Sequence, residues 1–496
     1  MKKRRDFALE TVWYLLVFGF FLVWFTQIHR LSVYDADDWR YVSHVRTALP
    51  LWNDWNPSRV FPEVFMPLVS RIAVFALMPL VGEYLRSLTL MHGFVVTVVL
   101  TVYIVCFTRM MKRLFDLSSY RAVVCSALFL VFHFLMFRSY DDSNTYLFYC
   151  WDITCYYYYL IPAAINASIV MSLIGNTRFP EFLKNGTLGK KSLLLVLLYF
   201  AIFSNLPASG ILAVYAGAMV LLDILQRLGK KSGWKDCLKT NGFSLAVLGL
   251  WLVSALFELA GGRAGDLRES SGPLLQRLRS VAYQLFHLGN YCNPTFLCIC
   301  GIILGLAVIV LVLSKGKDVQ TRRFFPLLMT CLVACAAMTA YTVLLCAAVD
   351  SSYINRMEYQ FPLLFFLLLT LLLLFGYVLQ KLPKLLLVMP IVLCVLFTQC
   401  DTIGRTYLES NLSGVDPSVC DAVTQDMLDQ IIQADREGLT EITMDMPQWN
   451  SPDNWPHAVY LGEKMSDTLY DHGLIDHKIL VWPSPTPEYN IRFGLS

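Results

Sequence analysis

The chain has 496 residues, of which 56% are hydrophobic and only 16% are charged, and its formal net charge is +3. A soluble domain carries about 25% charged residues, so this composition excludes an ordinary soluble globular protein. The charge balance gives no reason to expect nucleic acid as a partner. The 14 cysteines show no CxxC pair or Cys/His metal spacing, which predicts neither a disulfide framework nor a zinc site.

Apolar stretches of about 20 residues recur along the chain, and this is the length that crosses a bilayer as a helix. The opening segment MKKRRDFALETVWYLLVFGFFLVWF lacks a small-residue cleavage site, so we expect the first stretch to be retained as a helix. The fold class predicted is an all-α polytopic membrane protein with about eleven spans. The predicted spans are residues 9–28, 87–108, 120–137, 157–175, 192–204, 208–226, 242–259, 295–314, 325–348, 358–379 and 385–400.

Residues 61–85 are apolar enough to form a further span. Arg71 lies in the middle of this stretch, however, and a charge at a helix centre costs about 2.5–3.5 kcal/mol. Pro67 and Pro79 also interrupt it. With eleven spans and a cytoplasmic N-terminus, every lysine up to residue 400 falls on the inner side, as the positive-inside rule requires. We therefore interpret 61–85 as an interfacial or re-entrant pair of short helices on the outer side.

The composition changes after residue 400, which divides the chain into a membrane part, 1–400, and a tail, 401–496. Asp416 followed by Pro417 is typical of a helix start. The segment EITMDMP alternates apolar and polar residues as a half-buried strand does, and KILVWP resembles a second strand. The tail is predicted to be a small extracytoplasmic α/β domain.

The first outer loop, residues 29–86, begins with the segment LSVYDADDWRYVSHV. Its acids Asp35, Asp37 and Asp38 lie close to the end of the first span. A carboxylate in this place can act as a general base that takes a proton from a hydroxyl. Trp39 and Trp55 offer flat faces to sugar rings. The alternative is a solvated loop, with aromatic residues enriched at the bilayer interface for ordinary reasons.

The second outer loop, residues 138–156, repeats this pattern of acids and aromatics. Its candidate residues are Asp141, Asp142, Trp151 and Asp152. Further along, Arg356 and Glu358 lie at the outer start of a span, where ionisable residues are functional candidates. An arginine that snorkels to the interface is the alternative there.

The order of these motifs resembles the GT-C class of membrane glycosyltransferases, and within it the bacterial O-antigen glucosyltransferases and related surface-polysaccharide enzymes. The resemblance rests on the acidic pair before Trp39, on WNPSRVF, on CWDITCYYYYLIPAAIN, and on an arginine before a late helix. Two departures stand out. Pro57 and Ser58 replace a glycine found in the family, and SNLPASG keeps Asn205 without the acidic residue often found nearby.

The resemblance implies transfer of a sugar from a polyprenyl-phosphate donor to a glycan or lipid acceptor on the outer face, usually with inversion. The base would be Asp37 or Asp38, and Arg356 and Arg59 would bind the donor phosphate. No nucleotide site is needed. The remaining residues expected around the substrates are Asp35, Trp39, Trp55, Asp141, Asp142, Trp151, Asp152, Asn205 and Glu358. No metal is required, although the resemblance leaves a divalent metal open at Asp37, Asp38, Asp141 and Asp142.

Two other classes of protein fit the composition. A transporter or flippase for a lipid-linked or polysaccharide substrate would place charges in the middle of its spans. Here the charges cluster at the outer ends, with Asp223 as the main exception. A membrane scaffold or sensor could use the tail to bind a partner, but this reading leaves the acidic loops unexplained.

Overall fold

The computed structural model describes residues 2–33, 35–45, 57–137, 145–176, 185–228, 234–260, 273–313, 319–400, 403, 415–448 and 461–495. In chain order, the membrane part contains α1 (Lys2–Val23), α2 (Ala36–Tyr41), α3 (Val60–Val81), α4 (Tyr84–Phe115), α5 (Ser119–Leu135), α6 (Ile153–Gly175), α7 (Leu188–Ile202), α8 (Leu206–Arg227), α9 (Trp234–Ala260), α10 (Leu274–Leu288), α11 (Pro294–Leu313), α12 (Val319–Ala348), α13 (Met357–Lys381) and α14 (Met389–Phe397). The tail contains α15 (Pro417–Arg436), β1 (Glu441–Pro447), α16 (Leu461–Asp471), β2 (Leu480–Thr486) and α17 (Pro487–Phe493).

Nine helices in the described ranges are long and apolar enough to cross a membrane. They are α1, which continues through a π-helical turn to Ile28, and α3, α4, α6, α8, α9, α11, α12 and α13. The predicted spans in α5, α7 and α14 also lie on helices, but these are shorter. The chain is therefore a predominantly helical, polytopic membrane protein, as the apolar stretches predict.

The helix α3 differs from the prediction for residues 61–85. The expected pair of short helices is wrong, because α3 is one continuous helix from Val60 to Val81. Proline removes a backbone hydrogen bond and clashes with the carbonyl four residues earlier. A π-helical turn at Ala73–Leu77 widens the backbone just before Pro79, which starts the next α-helical turn. The helix therefore continues past Pro79, and Pro67 lies within its first α-helical part.

The apolar helices differ in how deeply they are buried. In the most apolar window of α13, 89% of residues are buried, compared with 11% in α9. The sequence of α13 is apolar around its whole circumference, which is typical of a helix surrounded by others. Helices at the periphery instead turn large apolar side chains outwards, such as Leu256, Ile302 and Val312. A lipid bilayer is the solvent that accepts such a surface.

Asp223, the charged residue that stood out within a predicted span, is paired with neighbouring side chains at a partly exposed position. It accepts a hydrogen bond from Arg227 Nε at 2.8 Å, one turn further along α8. It also accepts one from Asn241 Nδ2 on α9 at 2.6 Å. The charge of Asp223 is thus paired near the end of α8.

The tail forms a small layer of helices on a two-stranded sheet. Strands β1 and β2 are parallel, with Glu441 opposite Leu480, and α16 lies between them in the chain. The predicted helix start is confirmed, since the Asp416 carboxylate accepts a hydrogen bond from Ser418 N at 2.8 Å. The predicted strand 441–447 is also confirmed, and the second strand extends beyond KILVWP to Thr486.

The tail is docked on the segments that follow α1 and precede α4. Asp421 on α15 forms an ion pair with Arg30 at 2.9 Å. His472, just after α16, bonds through Nδ1 to the hydroxyl of Tyr84 at 2.7 Å. The hydroxyl of Thr468 on α16 donates to the carbonyl oxygen of Trp39. These contacts bring the C-terminal tail against the acidic segment of the first loop.

Candidate functional site

The acidic segment of the first loop folds as the short helix α2. Asp35 is its N-cap residue, and its carboxylate accepts a hydrogen bond from Asp37 N at 2.9 Å. Aspartate is favoured at this position because it satisfies an N–H group that the helix leaves unpaired. Asp37 and Asp38 follow in the first turn. Because adjacent residues of a helix point in different directions, Asp37 is exposed whereas Asp38 is fully buried.

Asp38 joins the first loop to the second. Its Oδ1 atom accepts hydrogen bonds from Thr154 N and from Thr154 Oγ1, both at 2.8 Å. Its Oδ2 atom is buried and has no hydrogen-bond partner in the described part of the chain. Thr154 lies in the first turn of α6, whose N-cap is Asp152. The two acidic loops that the sequence singles out therefore meet at the start of α6.

Three of the carboxyl groups at this junction perturb one another. Burial, followed by the charge of Asp152 and then that of Asp37, raises the pKa of Asp35 to about 7. Burial likewise raises the pKa of Asp152 to about 6. The pKa of Asp38 lies well above its usual range, first because of burial and then because of Asp152 and Asp35. The raised pKa values thus favour the protonated form of Asp38, while Asp35 and Asp152 titrate near neutral pH.

Arg356 lies beside this junction. Its Nη2 atom is 3.0 Å from Glu358 Oε1 and 3.3 Å from Cys155 Sγ, and its guanidinium carbon lies 4.5 Å from the centre of the Trp151 ring. Burial opposes its charge, but Glu358 outweighs burial and raises the pKa of Arg356. The Arg356 side chain is only 18% exposed and the Glu358 side chain is fully buried, so Arg356 does not snorkel.

Arg59 and Asn205 occupy a neighbouring region. Arg59 Nε lies 3.0 Å from both carboxylate oxygens of Glu258 at the end of α9. Asn205 caps α8 by accepting from Ala208 N at 3.0 Å, and its amide donates to the carbonyl of Tyr158. Asn205 therefore has a structural role in this conformation. Arg59, like Arg356, already binds a glutamate.

Some predicted residues cannot be placed. Trp55, Asp141 and Asp142 lie outside the described residues. Trp39 is fully buried, and its indole Nε1 has no hydrogen-bond partner in the described ranges. Within those ranges, no three His, Cys, Asp or Glu side chains come together as a set of metal ligands.

The structure adds three residues that the sequence analysis did not single out. Thr154 lies two residues after Asp152 and carries no sequence signal beyond this proximity. Glu258 is an acid at the end of an apolar stretch, a position that marks functional candidates in general. Lys464 belongs to the tail, and its charge interacts with those of Asp37 and Asp35, while burial lowers its pKa. Only the folded chain brings it to the first loop.

The arrangement combines an exposed carboxylate, an acidic cluster around buried Asp38 and a partly buried arginine stacked on an aromatic ring. An exposed carboxylate can accept a proton, and an arginine can bind an oxyanion through its remaining donors. No protein-family model, curated protein or solved structure matches this chain.

The raised pKa values predict a pH dependence of stability. Asp35 binds a proton in the folded protein up to a pH of about 7, but in the unfolded chain only up to its ordinary value of 3.8. Between these values the folded state holds more protons, so the free energy of unfolding falls as the pH rises from about 4 to about 7. Asp35→Asn keeps an N-cap and removes the titrating group.

We expect Asp35→Asn to raise the thermal unfolding temperature at pH 7.5 and to reduce its dependence on pH between 4 and 7. Thermal unfolding of the purified chain in detergent over this pH range measures both effects. The matched control is Glu488→Gln on α17, which removes an exposed carboxylate outside the cluster. An equal pH profile for Asp35→Asn and the parent would contradict the interaction among these carboxyls.

Proposed function

We propose that the chain is a membrane glycosyltransferase. It would move a sugar from a polyprenyl-phosphate carrier to a glycan or lipid acceptor on the outer face of the cell membrane. The observation that carries the proposal is the junction of the two acidic loops, where the exposed carboxylate of Asp37 stands beside buried Asp38. Arg356, stacked on Trp151, lies next to this junction. These are the groups that proton removal from an acceptor and binding of a donor phosphate require.

In the proposed reaction, the acceptor hydroxyl gives its proton to a carboxylate as its oxygen bonds to the anomeric carbon of the donor sugar. The bond between that carbon and the donor's phosphate oxygen breaks, and this oxygen keeps the electron pair. The products are the glycosylated acceptor and polyprenyl phosphate, and the carboxylate later returns the proton to solvent. Attack on the side opposite the phosphate inverts the anomeric configuration.

Asp37 is the better candidate for the base. Asp38 is buried, its Oδ1 atom is occupied by Thr154, and its raised pKa favours the protonated form, which cannot accept a further proton usefully. Asp37 is exposed and therefore accessible to an acceptor. Asp38 would instead hold α2 against α6 so that Asp37 has a defined position.

Arg356 is the better candidate for the donor phosphate. Glu358 takes a hydrogen bond from Nη2, which leaves donors on the rest of the guanidinium. Its Nε atom has no hydrogen-bond partner within the described ranges. Trp151 holds the guanidinium plane, so these donors have a fixed direction. Arg59 offers the same chemistry, but Nε already faces both oxygens of Glu258.

The proposal includes a topology of eleven spans, with the N-terminus in the cytoplasm and the tail outside. It is supported by the two ends of α3. Near its start, Arg59 N bonds to Phe203 O at 2.8 Å, beside the start of α8. Its end adjoins Tyr84, which contacts the tail. Both ends thus adjoin segments that the proposal places on the outer side. A helix of 22 residues is about 33 Å long, so α3 would run along the membrane surface rather than across it.

A first prediction concerns the base. Asparagine has nearly the shape of aspartate but does not accept a proton usefully at neutral pH. Asp37→Asn should lower sugar transfer by about 100-fold or more, the usual scale of general base catalysis. Asp38→Asn should have a smaller effect, because an amide oxygen can still accept from Thr154. The measurement is transfer by purified variants in liposomes with a polyprenyl-phosphate sugar as donor.

Unfolding temperatures of both variants serve as the control for folding. If both single variants and the double variant transferred sugar at the parental rate, the base would not lie in α2. Asp152 would then be the next candidate. If the parent itself moved intact lipid-linked sugar across liposomes without transferring it, the transport interpretation would replace this proposal.

A second prediction concerns Arg356. Replacing it by alanine alone would leave Glu358 buried and unpaired, which is strongly destabilising. We therefore pair Arg356→Ala with Glu358→Gln, and compare this double variant with Glu358→Gln alone. The double variant should raise the donor KM by roughly 10-fold or more, since a charge-assisted hydrogen bond contributes about 1.5–3 kcal/mol. Arg356→Lys should keep only part of the donor affinity that the alanine substitution loses, because an ammonium cannot reproduce the guanidinium fork. Unchanged donor KM in the double variant would remove Arg356 from the donor site.

A third prediction concerns sidedness. Cysteines introduced at Glu488 in the tail and at Arg86 in α4 should react with an impermeant thiol reagent in intact cells, because both positions are exposed on the proposed outer side. A cysteine at Gly189, at the exposed start of α7, should react only after permeabilisation. The parent, with its native cysteines, sets the background. Labelling of Gly189→Cys but not of Glu488→Cys in intact cells would reverse the proposed orientation.

A further inference from the structure

A cleft separates α2 from the tail helix α16. Its volume is about 300 Å³, which is at the lower end for small-molecule sites. From the first loop it is lined by Trp39, Arg40, Ser43 and His44, and from the tail by Glu463, Lys464, Asp467, Thr468, Asp471 and Lys478. The cleft is distinct from the junction of Asp38 with Thr154, although both include residues of α2.

The sequence places these groups by helical periodicity. Glu463, Asp467 and Asp471 follow one another at intervals of four residues, so they share one face of α16. On the opposite wall, Asp37 and Arg40 are three residues apart in α2, which makes them neighbours on the helix surface. The proposed base thus lies next to a residue that lines the cleft.

The lining is balanced in charge and dense in hydrogen-bonding groups. Its three cations, Arg40, Lys464 and Lys478, match in number the three acids on the face of α16. A phosphate would be repelled by these carboxylates at close range. An apolar ligand would remove water from the charged groups without replacing its hydrogen bonds. A neutral ligand with many hydroxyl groups can both donate to the acids and accept from the cations. Carbohydrates have this chemistry.

A second observation comes from Trp39, which forms part of the wall. Its indole Nε1 is buried and has no hydrogen-bond partner in the described ranges. A buried tryptophan N–H usually finds a partner, so this wall of the cleft holds an unsatisfied donor. The backbone of Trp39 is held by Thr468, so both walls of the cleft are fixed to each other.

We propose that this cleft binds the sugar unit of the acceptor, with the C-terminal tail supplying half of the site. This inference rests on the proposed glycosyltransferase function. In it, the acceptor sugar lies between α2 and α16, with its reactive hydroxyl directed towards Asp37. The tail is then a part of the substrate site rather than an independent module.

The test measures sugar binding and sugar transfer separately. Saturation-transfer NMR on the full chain in detergent detects binding of methyl glucoside, methyl galactoside and methyl mannoside. At least one should give a signal with the parent. The double variant Glu463→Gln/Asp471→Asn should lose most of it, because exposed carboxylates that accept from sugar hydroxyls have gone. Both positions are exposed, so the variant should fold, and Glu488→Gln is the matched control.

In the transfer assay, the double variant should raise the KM for the acceptor by roughly 10-fold, with the donor KM unchanged, since each tenfold corresponds to one charge-assisted hydrogen bond. Transfer with an unchanged acceptor KM, or equal NMR signals in parent and variant, would overturn the cleft and leave the proposed function intact. Displacement of the sugar by inorganic phosphate would also overturn it, in favour of an anion site. If the parent binds sugar and the variant does not, but the parent transfers no sugar, the glycosyltransferase proposal is overturned and the sugar-binding cleft is retained.

Discussion

The Asp38 carboxylate accepts two hydrogen bonds from Thr154, and the end of the molecule that carries the acidic loops is organised around this contact. It fixes α2 against the first turn of α6, although more than a hundred residues separate them in the chain. Asp38 is fully buried, and its second oxygen has no hydrogen-bond partner in the described ranges. Such a group is costly to bury. The position of exposed Asp37 follows directly from it.

The two kinds of buried charge at this end behave differently. Arg356 and Arg59 are each compensated by a glutamate, Glu358 and Glu258, so their charges persist in a low-dielectric environment. The acids around Asp38 instead have no such partner among them. Burial and their mutual repulsion raise the pKa of Asp38. An acidic cluster with raised pKa values therefore lies beside an arginine whose charge is compensated.

The sequence alone determined the class of the protein and most of its helices. Uninterrupted apolar stretches can satisfy their backbone polar groups in a bilayer only as helices, so each predicted span lies on a helix. The Asp416 cap and strand 441–447 were equally predictable, because capping and alternation are local properties. The acidic segments were identified because dense charge is rare beside apolar spans. The prediction for residues 61–85 was wrong. Its prolines and Arg71 indicated a broken segment, whereas a π-helical turn keeps the helix continuous.

Only the tertiary structure decided how the charged residues are partnered. Asp37 and Asp38 are adjacent in the sequence, yet one is exposed and the other buried, because successive residues of a helix point about 100° apart. The pairing of Arg59 with Glu258, and the contact of the tail with α2, join segments about two hundred and more than four hundred residues apart. No local pattern encodes such contacts, because they depend on how the helices pack rather than on the residues that flank each partner.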